Sequence, residues 1–125
     1  TQWRMDRWNQ YNVGLADLYA MGKLRLPTIP AGCTHNAHMF YIKCANLAER
    51  TALTAFLKER GIMAVFHYIP LHSAAAGQRF GRFHGEEKHT TVESERLLRL
   101  PLYYGLTQED CDTVIHAIHA FYMPV

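Results

Sequence analysis

The sequence lacks the features by which several large classes of protein are recognised. Its three cysteines contain no Cys-x-x-Cys pair, which excludes a disulfide scaffold and favours a reducing, cytoplasmic compartment. No apolar run approaches the roughly 18 residues that cross a bilayer, and the first residues carry Arg4, Asp6 and Arg7 where a signal peptide is apolar. The net charge is +2, and the basic residues do not form a cluster in the sequence, so nothing predicts nucleic-acid binding.

The composition is that of an ordinary folded domain. Hydrophobic residues make up 49% of the 125 residues and charged residues 19%, values that exclude wholesale disorder. The length predicts one compact unit and excludes most large cofactor enzymes as complete units.

Hydrophobic periodicity and turn residues predict an α+β fold, in which helices pack on one small sheet. The predicted helices cover residues 3–21, 46–60 and 91–98 and a last segment that begins after Thr107. The predicted strands cover 38–42, 63–67 and 98–102. Asn46 followed by Glu49, and Thr107 followed by Asp110, have the spacing of helix N-caps. Residues 77–89 are predicted to be an exposed loop.

Histidine is the first candidate for chemistry, because the chain has eight. His35 and His38, and likewise His116 and His119, lie three residues apart, a spacing that places two imidazoles on one helix face. No cysteine pair or HExxH motif supplies further ligands, so the sequence disfavours a metal site.

The segment from His67 to His72 follows a predicted strand and turns at Pro70. Such corners often face ligands, and histidine and tyrosine supply hydrogen bonds near pH 7. The residues alone leave a second interpretation equally open, in which His67 caps the strand, Tyr68 packs and His72 begins the next helix.

The sequence pattern offers little support for a catalytic nucleophile. Cys111 falls on the apolar stripe of the last helix and is predicted to be a core residue, and neither Cys33 nor Cys44 has a histidine partner in the sequence pattern. No glycine-rich phosphate loop is present.

Four segments together resemble the C-terminal part of the DegT/DnrJ/EryC1/StrS family of sugar-nucleotide aminotransferases. The segments are Asn36–Tyr41, Leu57–Ile62, His67–His72 and Leu100–Asp110. The third is similar to the family's aromatic-x-Pro-Leu-His motif and the fourth to its Leu-Pro-Leu and Leu-Thr-x-x-Asp ending. Tyr104 departs from the proline that often follows Leu-Pro-Leu-Tyr in the family, which affects only the stiffness of that turn.

The resemblance implies the small domain of a fold-type I enzyme that depends on pyridoxal 5'-phosphate, with an antiparallel sheet and helices packed on it. It implies a long linking helix over residues 1–22, an α+β core over 36–122, and a large cofactor-binding domain absent from this chain. The complete enzyme would be a homodimer that transfers an amino group from L-glutamate to a 4-keto-6-deoxy nucleotide sugar, with no membrane or nucleic-acid partner.

The resemblance also implies which residues meet the substrate. Substrate contact is expected at His67 and Tyr68 first, then at His72 and His38, through hydrogen bonds to the sugar or the diphosphate. The chain's lysines are Lys23, Lys43, Lys58 and Lys88, and none lies in the family's cofactor motif. No catalytic residue and no metal ligand is therefore expected here.

Two other functions remain open at this stage. The first is a free-standing interaction module that uses the aromatic first helix, with Trp3, Trp8 and Tyr11, as its partner surface. The second is a histidine-rich metal-binding domain.

Overall fold

The computed structural model describes residues 2–124, so Thr1 of the predicted linking helix lies outside the described residues. The chain begins with α1 (Gln2–Gly14) and α2 (Ala16–Ala20), where the sequence predicted one helix. Gly14 faces α6 (Gln108–Tyr122) so closely that a Cβ at Gly14 would lie 2.7 Å from Ile115 Cδ1. This glycine permits the contact and weakens the helix, which breaks at Leu15.

The sheet has three antiparallel strands in the order β1 (Phe40–Lys43), β3 (Leu97–Leu100), β2 (Val65–Phe66). Both β1 and β2 are antiparallel to β3, so they run in the same direction as each other. The burial of β1 and β3 alternates along the strands, as expected when one face of a sheet meets the core. The predicted α+β class and antiparallel sheet are therefore confirmed, although β2 is shorter than the predicted strand.

Helix ends form where the sequence predicts them. The Asn46 side chain accepts a hydrogen bond from Glu49 N at the start of α3 (Leu47–Glu59), and the Thr107 side chain accepts one from Asp110 N at the start of α6. Gly61, with φ of +74°, ends α3, and Ile62 N donates to Leu57 O.

The core joins the first two helices to the sheet. Tyr11, Leu15, Leu18 and Phe40 are fully buried, and the Tyr11 and Phe40 rings stack at 5.1 Å. Trp8 is also buried, so two of the three aromatic residues proposed as a partner surface instead pack inside this domain. The first helices are thus part of one core with the sheet.

The predicted loop at 77–89 is partly wrong. A short helix, α4 (Ala75–Phe80), occupies its beginning, and α5 (Thr90–Arg96) follows its end. The sequence signal was weak because α4 has no side-chain cap and no buried residue. Within residues 2–124, no helix combines the length and apolar character needed to cross a bilayer.

Candidate functional site

The segment after β2 forms a corner that opens into a cavity of about 540 Å³. We call this the corner cavity. Its lining comes from the Pro70 turn, from α4 and from the residues after α4: Leu71, His72, Ala76, Gly77, Phe80, Gly81, Arg82 and Phe83.

The backbone of the corner is held by its own hydrogen bonds. Ser73 N and Ala74 N both donate to Pro70 O at 3.0 Å, which closes the turn. Gly77 lies on α4 directly above this turn, and a Cβ there would lie 1.6 Å from Leu71 O. Only glycine allows α4 to approach the turn this closely.

His72 is the one predicted site residue that lines the corner cavity. Its ring lies 4.9 Å from the ring of Phe83, and its Nε2 is 3.5 Å from Thr91 Oγ1. Thr91 N donates to Glu87 Oε1 at 2.7 Å, and this hydrogen bond lowers the pKa of the Glu87 carboxyl. His72 is therefore fixed between the cavity and the start of α5.

His67 and Tyr68 lie just before the turn, at the carboxyl end of β2. Their rings are 4.4 Å apart, and Tyr68 is 69% exposed. His67 Nδ1 is buried without a hydrogen-bond partner among the described residues. A buried, unpaired ring nitrogen is costly in a folded protein.

His38 is not brought together with the other three residues. It precedes β1, whereas His67 follows β2, and the two strands run in the same direction. His38 consequently lies at the opposite end of the sheet, where it lines a separate cavity of about 340 Å³ with Met63 and Leu102.

Phe80, Arg82 and Phe83 also line the corner cavity and were not among the predicted site residues. Phe80 is 79% exposed and Leu71 78%, an unusual exposure for large apolar side chains that share one cavity. Together with the Arg82 guanidinium and the His72 imidazole, they fit a ligand that has both an apolar and an anionic or hydroxyl-bearing part. These residues fall in a segment whose glycines and mixed charges indicate only a loop.

Two of the three cysteines, Cys44 and Cys111, are buried, whereas Cys33 is exposed. Burial raises the pKa of the Cys44 thiol to about 11 and that of Cys111 to about 12, so both remain protonated thiols at neutral pH. Among the described residues, no three His, Cys, Asp or Glu side chains lie close enough to share a metal ion. His119 is instead paired with Asp17, and His116 is exposed.

The four lysines lie away from the corner cavity. Lys23, Lys58 and Lys88 are exposed, and Lys43 Nζ is paired with Glu93 Oε2 at 2.6 Å. None of the four lines the corner cavity. The described lysines are therefore either exposed to solvent or held in an ion pair, away from the corner cavity.

Comparison with known proteins adds a family match. The model of the DegT/DnrJ/EryC1/StrS aminotransferase family matches residues 1–119. A pleiotropic regulatory protein from Geobacillus stearothermophilus is 28% identical over 94% of this chain and 33% of its own length.

Two solved structures show the same fold. The aminotransferase TlmJ from Streptoalloteichus hindustanus is 28% identical with a TM-score of 0.82, over 96% of this chain and 31% of its own. NtdA from Bacillus subtilis, solved with bound cofactor PMP, is 25% identical with a TM-score of 0.79, over 95% of this chain and 27% of its own. The chain thus spans about a third of the length of the proteins it matches.

Proposed function

Because this chain belongs to the DegT/DnrJ/EryC1/StrS aminotransferase family, we propose that it forms the C-terminal small domain of a sugar-nucleotide aminotransferase that depends on pyridoxal phosphate. In this proposal residues 1–22 link the small domain to a large domain, and residues 36–122 form its core. NtdA supports the cofactor assignment, because PMP is the amino form of pyridoxal phosphate.

The observation that carries the proposal is a binding corner without a lysine. The corner cavity presents His72, Arg82 and two phenylalanines, and no lysine, thiol or carboxylate of residues 2–124 lines it. Such a surface can bind and orient a substrate but cannot form the Schiff base. The cofactor and its lysine therefore belong to the large domain in this account.

The roles of the corner residues follow from their chemistry. The His67 imidazole is assigned a hydrogen bond to a sugar hydroxyl, and the exposed Tyr68 phenol lies beside it. His72 lies at the cavity wall, where Arg82 can meet the diphosphate. His38 is proposed as a weaker contact. It lies at the opposite end of the sheet from His67, so it would contact a different face of the substrate.

The substrate proposed for the complete enzyme is a 4-keto-6-deoxy dTDP-sugar, with L-glutamate as amino donor. The motifs quoted above resemble those of dTDP-4-amino-4,6-dideoxygalactose transaminase, also named dTDP-4-oxo-6-deoxy-D-glucose transaminase. That activity belongs to surface polysaccharide biosynthesis, as in lipopolysaccharide and enterobacterial common antigen. We propose a cytoplasmic homodimer for the complete enzyme.

Absorbance spectroscopy tests whether the cofactor is bound by the large domain and not by a lysine of this chain. Pyridoxal phosphate added to this chain alone should give no stoichiometric, lysine-dependent band in the visible region. The chain joined to a cofactor-binding domain of the family should give such a band, and glutamate should remove it. A stoichiometric band on this chain alone, lost when one of its four lysines is changed to arginine, would overturn the proposal.

A further inference from the structure

A second cavity, of about 590 Å³, lies between the end of α2 and the outer edge of β1. We call it the cationic cavity, because its lining includes Lys23, Arg25, Lys43 and Arg96. No Asp or Glu is among the residues within 2–124 that line it. It shares no lining residue with the corner cavity.

Two of these cations are forced together by the backbone. Arg25 N donates to Lys43 O at 3.0 Å, and Lys43 N donates to Arg25 O at 3.0 Å, so the two residues form an antiparallel bridge. Residues opposite each other in such a bridge project their side chains to the same face, about 5 Å apart. Like charges in this arrangement destabilise the pair, and a bound anion would relieve the repulsion.

The other wall of the cationic cavity is rigid. Arg96 Nε donates to Cys44 O at 2.8 Å, and Cys44 N donates to Arg96 O at 2.8 Å. Glu93 pairs with Lys43 at 2.6 Å and with Arg96 at 3.3 Å. These contacts fix the positions of Lys43 and Arg96 before any ligand arrives.

Lys23 and Arg25 supply the unneutralised charge. Both are exposed, and within residues 2–124 neither forms an ion pair with a carboxylate. The cluster holds four cations, and among residues 2–124 Glu93 is the one carboxylate that forms an ion pair with any of them. Glu49 also lies nearby, since its Oε2 accepts a hydrogen bond from Ala45 N at 2.7 Å. The four cations still leave an excess of positive charge in a concave surface, where a compact anion is attracted most strongly.

We propose that the cationic cavity binds a phosphate or diphosphate group. Guanidinium groups match phosphate oxygens with paired hydrogen bonds, and the two lysines add point charges. The four cations line one concavity, which fits a compact phosphate group. The site is separate from the proposed substrate corner. A negative result for this site would therefore leave the transaminase proposal unaffected, and the reverse also holds.

The test is an NMR titration of the full chain, labelled with ¹⁵N, with inorganic phosphate, pyrophosphate and a nucleoside diphosphate as probes. We expect saturable shifts of the amides of residues 23–25 and 43–45. Arg25→Gln should weaken pyrophosphate binding by about tenfold, since it removes one charged hydrogen-bonding group. Lys58→Gln, which removes an exposed cation from α3, should leave the affinity unchanged.

The probes also identify the source of the phosphate. Equal affinity for pyrophosphate and the nucleoside diphosphate would support a site for the phosphate group alone, and tighter binding of the nucleoside diphosphate would support a nucleotide. Lys23→Gln provides a second variant, and it should also weaken binding without changing the rest of the spectrum. Shifts that never saturate, equal affinities in Arg25→Gln and Lys58→Gln, or tighter binding of a thymidine oligonucleotide than of pyrophosphate would each overturn the proposal.

Discussion

Gly77 on α4 faces the carbonyl oxygen of Leu71 so closely that a Cβ at position 77 would lie 1.6 Å from it. The two residues belong to different parts of the corner, the helix and the Pro70 turn. Their contact sets the shape of the corner cavity, because both residues line it. The backbone at this point therefore determines where His72 and the neighbouring aromatic rings are placed.

Gly77→Ala should weaken the backbone hydrogen bonds that close the Pro70 turn. An alanine in a helix interior usually stabilises the helix by about 1 kcal/mol, but here its methyl group must displace the Leu71 carbonyl. We expect the amides of Ser73 and Ala74, which close the turn, to exchange with solvent at least about tenfold faster. Ala75→Ser, at an exposed position of the same helix, is the matched control. Unchanged exchange in Gly77→Ala would contradict the close approach.

The first helices should contribute to the stability of the core. Leu15 is fully buried between α1 and α2, whereas Val13, two residues earlier, is 76% exposed. Leu15→Ala should lower the free energy of unfolding by roughly 2–5 kcal/mol through the cavity it leaves, and Val13→Ala should change it by less than about 0.5 kcal/mol. Urea unfolding measures both. Equally small effects in the two variants would mean that the first helices do not belong to the core. That result would favour the interaction-module interpretation.

Asp17 and His119 should make stability depend on acid pH. His119 Nε2 lies 2.9 and 3.0 Å from the two carboxylate oxygens of Asp17, and this hydrogen bond lowers the pKa of Asp17 below its ordinary 3.8. A carboxyl whose pKa is lower in the folded state stabilises the fold above its unfolded pKa, and this contribution is lost as the pH falls through the folded pKa.

Thermal unfolding of Asp17→Asn across acid pH checks this dependence. The variant should have a lower Tm than the wild type near pH 5.5, and the difference should vanish towards about pH 2. Glu86→Gln, at an exposed loop position, should show no such convergence. A Tm difference that stays constant over the whole range would show that the pair contributes no pH-dependent stability.

The sequence predicted the fold well where local signals agree with burial. The caps at Asn46 and Thr107 form as their side chains and spacing require, and Cys111 packs in the core as the stripe of α6 predicts. The close approach of Gly14 to Ile115 could not be predicted, because the two residues lie about a hundred positions apart in the chain.

The site was only partly predictable. The corner from His67 to His72 follows from a strand end and a proline, but the partners of His72 do not. Phe83 and Thr91 reach it from 11 and 19 positions further along the chain, through a segment without a periodic pattern. Sequence spacing likewise does not predict that His38 and His67 lie at opposite ends of the sheet, because their separation depends on the direction of the strands.

The central claim is that the corner binds the sugar nucleotide, and His67→Ala tests it most directly. In an enzyme that joins this chain to a cofactor-binding domain of the family, we expect kcat/KM for the keto sugar to fall by about tenfold or more, because the substrate loses its hydrogen bond to the His67 imidazole. The cofactor absorbance should be unchanged, and His116→Ala, at an exposed position on α6, should behave as the wild type. Values of kcat and KM in His67→Ala equal to those of the wild type would contradict the claim.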